Sequence, residues 1–106
     1  MKKITAKDIK AELGEPQYNE MIKAIKCVID VGVKDLCKDA EAVYRRVEKN
    51  KPLSRRDAEV ITQCTFHISA YFRHKAETNK EGADLYSQMS NVMAIIGLRI
   101  RFMYDD

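Results

Sequence analysis

Cys64, His67 and His74 are the residues whose types and spacing could do chemistry. On a helix, Cys64 and His67 stand one turn apart and His74 lies two turns beyond His67, so all three border one side. A thiol and an imidazole from one turn can begin a transition-metal site. The same pair can make a nucleophile if the base reaches the thiol and a pocket stabilises the oxyanion. Neither arrangement is complete. A metal would need a further ligand from another helix, no acidic residue sits in register, and a chain this small has little room for a pocket. The expectation is that Cys64 packs as a small hydrophobe and both histidines ride the solvent edge.

Other catalytic constellations are missing from the sequence. Four scattered glycines cannot build a phosphate-binding loop, and there is no His-Glu-x-x-His, no paired-cysteine signature and no Gly-x-Ser-x-Gly turn. The acidic residues Asp35, Asp39, Glu41, Glu48 and Glu59 interleave with Lys and Arg as a solvated helix face does. The residues therefore predict no catalytic centre, no metal and no cofactor.

The elements that must carry these side chains follow from bulk properties and periodicity. A chain of 106 residues with 45% apolar and 33% charged residues predicts one folded domain over 1–106. With four Gly and two Pro, long uninterrupted elements are expected. Three cysteines without a paired motif argue against a disulfide framework and for a reducing, cytoplasmic setting. The start, Met1-Lys2-Lys3-Ile4-Thr5, has no apolar stretch behind its lysines, and the uncharged run Leu85–Leu98 is too short and polar to span a bilayer. No membrane partner is expected.

A first helix is predicted over about Ala6–Leu13, with Thr5 as N-cap, Asp8 three residues later and Gly14 as a left-handed stop. Pro16 suits the first turn of a second helix. Tyr18, Ile22, Ile25, Ile29, Leu36, Val43 and Val47, with Gly32 and Ala40 between them, then share one face, predicting a long helix to about Lys49. Gly32 is where it would kink or break into two. Asn50-Lys51-Pro52 marks a turn, and Ser54 with Asp57 opens a third long helix whose stripe is Ala58, Ile61, Thr65, Ile68 and Phe72, widened by Cys64 and Tyr71. A connection at Thr78–Gly82 leads to a last helix with Leu85, Met89, Val92, Ile96, Ile100 and Met103 inward. Leu98–Tyr104 alternates with period two, but no other segment offers it a strand partner, so it is read as helix. The fold class is all-α: a small antiparallel helical bundle, one short helix followed by three long ones.

Thr5-Ala6-Lys7-Asp8-Ile9-Lys10-Ala11-Glu12-Leu13-Gly14 resembles the opening of the helix-turn-helix of bacterial repressors, in which a Thr-capped helix with an Asp-Ile pair ends at a Leu-Gly turn. The resemblance covers about 20 residues and implies a recognition helix after Gly14. The chain departs from the motif at Lys10, where a small residue lets the helices cross, and at Glu15 and Glu20, where apolar anchors are usual. Both glutamates would also face phosphates. The plainer expectation is two helices meeting at a corner, the first capping the bundle.

Two surfaces stand out. Arg45, Arg46, Lys49, Lys51, Arg55 and Arg56 fall within twelve residues, and antiparallel folding is expected to bring Arg99 and Arg101 to the same pole, partly offset by Asp57, Asp105 and Asp106. Such a pole suits an acidic protein or a phosphate backbone. The second surface is apolar. The last helix offers Ile95, Leu98 and Phe102 on a face apart from its core stripe, and Phe66 lies off the stripe of the third helix. A helix apolar on several sides must be covered on them, by the N-terminal helix or by a partner. The sequence thus predicts a non-catalytic protein–protein interaction module, an adaptor or inhibitor that self-associates. The alternative is a nucleic-acid-binding accessory protein using the basic pole.

Overall fold

The computed structural model describes residues 3–105; Asp106 of the basic pole, and Met1 and Lys2 of the leader reading, lie outside them. Five helices follow in order: α1 (Ala6–Leu13), α2 (Glu15–Val31), α3 (Cys37–Glu48), α4 (Arg55–Thr78) and α5 (Ala83–Tyr104). The domain is elongated, 47 × 26 × 22 Å, and no strand occurs among the described residues beyond one bridge pairing Ile4 with Leu53. The alternating segment Leu98–Tyr104 is helical.

Each boundary has a local cause. At α1 the Thr5 N–H and hydroxyl both donate to the Asp8 carboxylate, at 2.9 and 3.2 Å. Gly14 ends α1 with φ 83° and ψ 157°, a positive-φ conformation but not the left-handed helical one expected. The same residue opens α2, with Pro16 in its first turn. The long second helix is broken: Gly32, in the left-handed conformation (φ 72°, ψ 45°), caps α2 and donates to Val28 and Ile29 carbonyls. Asn50, also left-handed at φ 51°, ends the α3 turn. Ser54 and Asp57 form a complete capping box, each backbone N–H donating to the other's side chain at 2.9 and 3.0 Å.

The α4–α5 hairpin is the longest antiparallel contact. Arg55 reaches the Tyr104 carbonyl at one end, Ser69 meets Ser90 midway, and Phe72 stacks on Tyr86 toward the other end. Its seam is small and polar rather than aliphatic. Ser69 and Ser90 hydroxyls donate reciprocally to each other's carbonyls at 2.8 Å, Thr62 donates to Ala58 at 2.8 Å, and Gly97 lets Thr65 and Phe66 approach the α5 backbone. Helix α2 packs against all four others, so its buried face, Met21, Ala24, Ile25 and Val28, shares only Ile25 with the predicted stripe, whose Tyr18, Ile22 and Ile29 are half-buried against the core; in α3 the stripe's Ala40, Val43 and Val47 are buried. Breaking the helix at Gly32 removes the continuous phase that the stripe assumed. On α5 the inward residues are Ser90, Met93, Ile96, Gly97 and Ile100, while Leu85 and Val92 are exposed. On α4, Tyr71 is likewise exposed and Phe72 half-buried.

Most buried residues join one core from Ile4 to Ile100. Ala24, Ile68 and Met93, with Phe72 against them, form a smaller second cluster. The chain ends are tied to the α3–α4 turn: Leu53 N–H donates to the Ile4 carbonyl at 2.7 Å, and the Tyr104 hydroxyl donates to the Leu53 carbonyl at 2.9 Å.

Candidate functional site

The three chemistry-bearing residues of α4 do not converge on a site. Cys64 is fully buried among core residues, and burial pushes its thiol up to about 12, so it stays protonated at neutral pH and is a poor nucleophile there. His67 and His74 are exposed. Among the described residues no three His, Cys, Asp or Glu side chains gather as metal ligands, and no helix is long and apolar enough to cross a membrane.

The helix-turn-helix likeness meets a different geometry. A single residue, Gly14, joins α1 to α2, shorter than the three- or four-residue turn of that motif. Helix α2 lies at the centre of the bundle, where a recognition helix would have to project. Lys10 stacks over the Tyr18 ring at 5.7 Å, and Glu20 pairs with Lys23 at 3.4 Å on the surface. The corner expected of two short helices is what forms, though α2 runs for 17 residues.

The eight cations of the predicted pole are spread and mostly braced. Arg46 makes a bidentate pair with the buried Asp57, at 2.6 and 3.2 Å. Arg55 reaches Asp105 at 3.6 Å, and Arg56 reaches Asp39 and Glu59 at 3.4 and 3.7 Å. Arg99 turns toward the other end of α1, donating to Gln17 at 2.8 Å and approaching Glu12 at 3.9 Å. Arg101 lies 5.7 Å above the Phe66 ring. Arg45 approaches Glu41 only at 3.9 Å. Together with Lys49, Lys51 and the locked Arg46 it lines a shallow depression that contains no acidic side chain. The pole is therefore smaller than the sequence implied, because Arg46, Arg55, Arg56 and Arg101 serve α3–α4–α5 packing and Arg99 turns to α1 and α2.

Three of the four residues of the predicted apolar surface are exposed together. Ile95, Leu98 and Phe102 are 47%, 43% and 71% exposed and lie together on the side of α5 turned from Met93, Ile96 and Ile100. Helix α1 does not fold across them; it touches α5 on the Arg99 side. Phe66 is separate in character: half-buried, it covers Gly97 beneath the Arg101 guanidinium. The two arginines that flank the ridge are held aside by α1, α2 and Phe66, so Ile95, Leu98 and Phe102 form an uncharged strip. Leu85 and Val92 add further exposed apolar area to the same helix. Periodicity could not reveal this addition, because it fixes relative positions on a helix and not which face the neighbours cover.

No family model, no curated protein and no solved structure matches the chain.

Proposed function

We propose that this chain is a non-catalytic protein–protein interaction module that self-associates through α5 and acts by occupying the surface of an acidic partner. The observation that carries the reading is the exposed strip Ile95–Leu98–Phe102 on the side of α5 opposite its buried residues Met93, Ile96 and Ile100. Exposed apolar area of this kind is stabilised by burial at roughly 25 cal/mol per Å². A second copy suits it because the strip is uncharged. A two-fold axis through the strip joins apolar side chains to apolar side chains, while Arg99 is drawn to Gln17 and Glu12 and Arg101 to the Phe66 ring. Arg45, Lys49 and Lys51 stay outward in such a pair, where they steer an acidic partner.

Light scattering behind size-exclusion chromatography tests the reading. The expected result is a dimer that Phe102→Asp converts to a monomer with unchanged helicity. A monomeric parent chain, at concentrations up to the high micromolar range, would sink it.

A second reading, a nucleic-acid-binding accessory role, draws on the acid-free depression at Arg45, Arg46, Lys49 and Lys51. Only three of these cations are unlocked, which supports a weak, salt-sensitive backbone contact and not base reading. The same chromatography, run with duplex DNA at low salt, separates it from the first by co-elution.

A further inference from the structure

We infer that the cleft between the C-terminal turns of α2 and the middle of α4 is a binding site for a small uncharged aromatic molecule. Seven residues line it: Cys27, Val28, Val31, Val33, His67, Ile68 and Tyr71. Its volume of about 300 Å³ lies at the small end of ligand pockets, the size for one or two rings. The lining is chemically selective. Four aliphatic side chains supply the walls, and the lining holds no Asp, Glu, Lys or Arg, so an ionic ligand would lose hydration without gaining a carboxylate, ammonium or guanidinium partner.

The remaining three residues favour an aromatic ligand over an aliphatic one. The Cys27 sulfur, the His67 imidazole and the Tyr71 phenol ring all interact well with ring edges and faces. Two of the walls are also costly to leave wet. Val31 is 71% and Tyr71 51% exposed, although both flank the buried Val28 and Ile68. Tyr71 is held in place from outside the cleft, by the Phe72 ring at 5.6 Å and by Lys75 at 5.7 Å. The site is therefore preformed on one wall. It does not involve the α5 strip, so it stands or falls independently of self-association.

The Cys27 thiol reports occupancy directly, because it is exposed while Cys64 is buried. The experiment follows alkylation of Cys27 by iodoacetamide in a Cys37→Ser chain, with indole as the probe and cyclohexanecarboxylate as the charged aliphatic control. Several-fold slowing by millimolar indole is expected, with none by the control. The slowing should vanish in both Val31→Asp and Tyr71→Ala, two surface substitutions whose folding is checked by circular dichroism. An unchanged rate with indole overturns the proposal. So does equal slowing by the control, or slowing that persists in either variant.

Discussion

Asp57 illustrates how much one residue can be asked to do. Its carboxylate accepts from the Ser54 N–H at the start of α4 and from two guanidinium nitrogens of Arg46 at the end of α3. It is buried, while the Arg46 side chain is 41% exposed. Asp57→Ala removes the carboxylate half of the capping box and the inter-helix tie together, while the backbone N–H at 57 keeps the Ser54 hydroxyl; the cost is about 2–3 kcal/mol, below the full buried-pair figure because water can take up the freed guanidinium. Arg46→Ala leaves the carboxylate buried with its cap bond alone, which is also destabilising. Because the two side chains act as one unit, the double variant should lose less than the sum of the singles by about 1 kcal/mol. Urea denaturation of the four proteins checks this, and additivity within error would refute the coupling. The sequence pointed to Ser54 and Asp57 as a cap, since that motif is local. It placed Arg46 in a basic pole partly offset by Asp57 but did not pair the two, because they stand eleven positions apart across a turn.

At the scale of the element, the α4–α5 seam is decided by Gly97. A methyl group there would meet the Thr65 hydroxyl oxygen at 2.6 Å and the Phe66 ring at 2.9 Å. Gly97→Ala gains about 1 kcal/mol in helix propensity, but overpacking a buried seam costs about 1–3 kcal/mol. The steric term wins, because Thr65 is fully buried and its hydroxyl is engaged by the Thr62 carbonyl at 2.9 Å. A net loss of about 1 kcal/mol is expected in thermal or urea unfolding. A stabilised variant would mean that the helices separate without penalty. Seam geometry also explains why the stripe predicted for α5 was rotated. Counting apolar residues favours Leu85, Met89 and Val92, whereas close approach of two backbones selects Ser90 and Gly97. Ile96 and Ile100 of the predicted stripe are fully buried, but small residues carry no hydrophobic signal, so the part of the face that Ser90 and Gly97 supply was invisible to periodicity.

For the molecule as a whole, pH links two distant tie points. The Tyr104 hydroxyl is pushed up to about 12, first by burial and then by the Asp57 and Asp8 carboxylates, and burial alone raises the Cys64 thiol to about 12. In the unfolded chain the two groups lose their protons near 10 and 9. Between pH 9 and 12 the unfolded state therefore binds fewer protons than the folded one, and stability falls as pH rises. It is full below pH 9. Urea midpoints at pH 8 and pH 10.5 should show the decline, and Cys64→Ala with Tyr104→Phe should reduce it, the Tyr18 hydroxyl, also raised by burial, keeping part of it. A midpoint that does not move would contradict both burials. These two residues sit in α4 and at the end of α5, so the effect tests the packing that also leaves Phe102 outside.

The helices themselves were legible from the chain alone. Caps, stops and turns act over three or four residues, and Thr5, Gly14, Gly32, Pro52 and Ser54 do their work through their own backbones and nearest neighbours. The exposed strip was also legible, since three large apolar residues on one face of α5 exceed what a helix at an edge can hide. Tertiary structure alone decided which faces turn inward, which arginines are locked and where the α2–α4 cleft opens. Each of those depends on contacts between residues far apart in sequence, and a one-dimensional pattern carries no record of which neighbour will cover it.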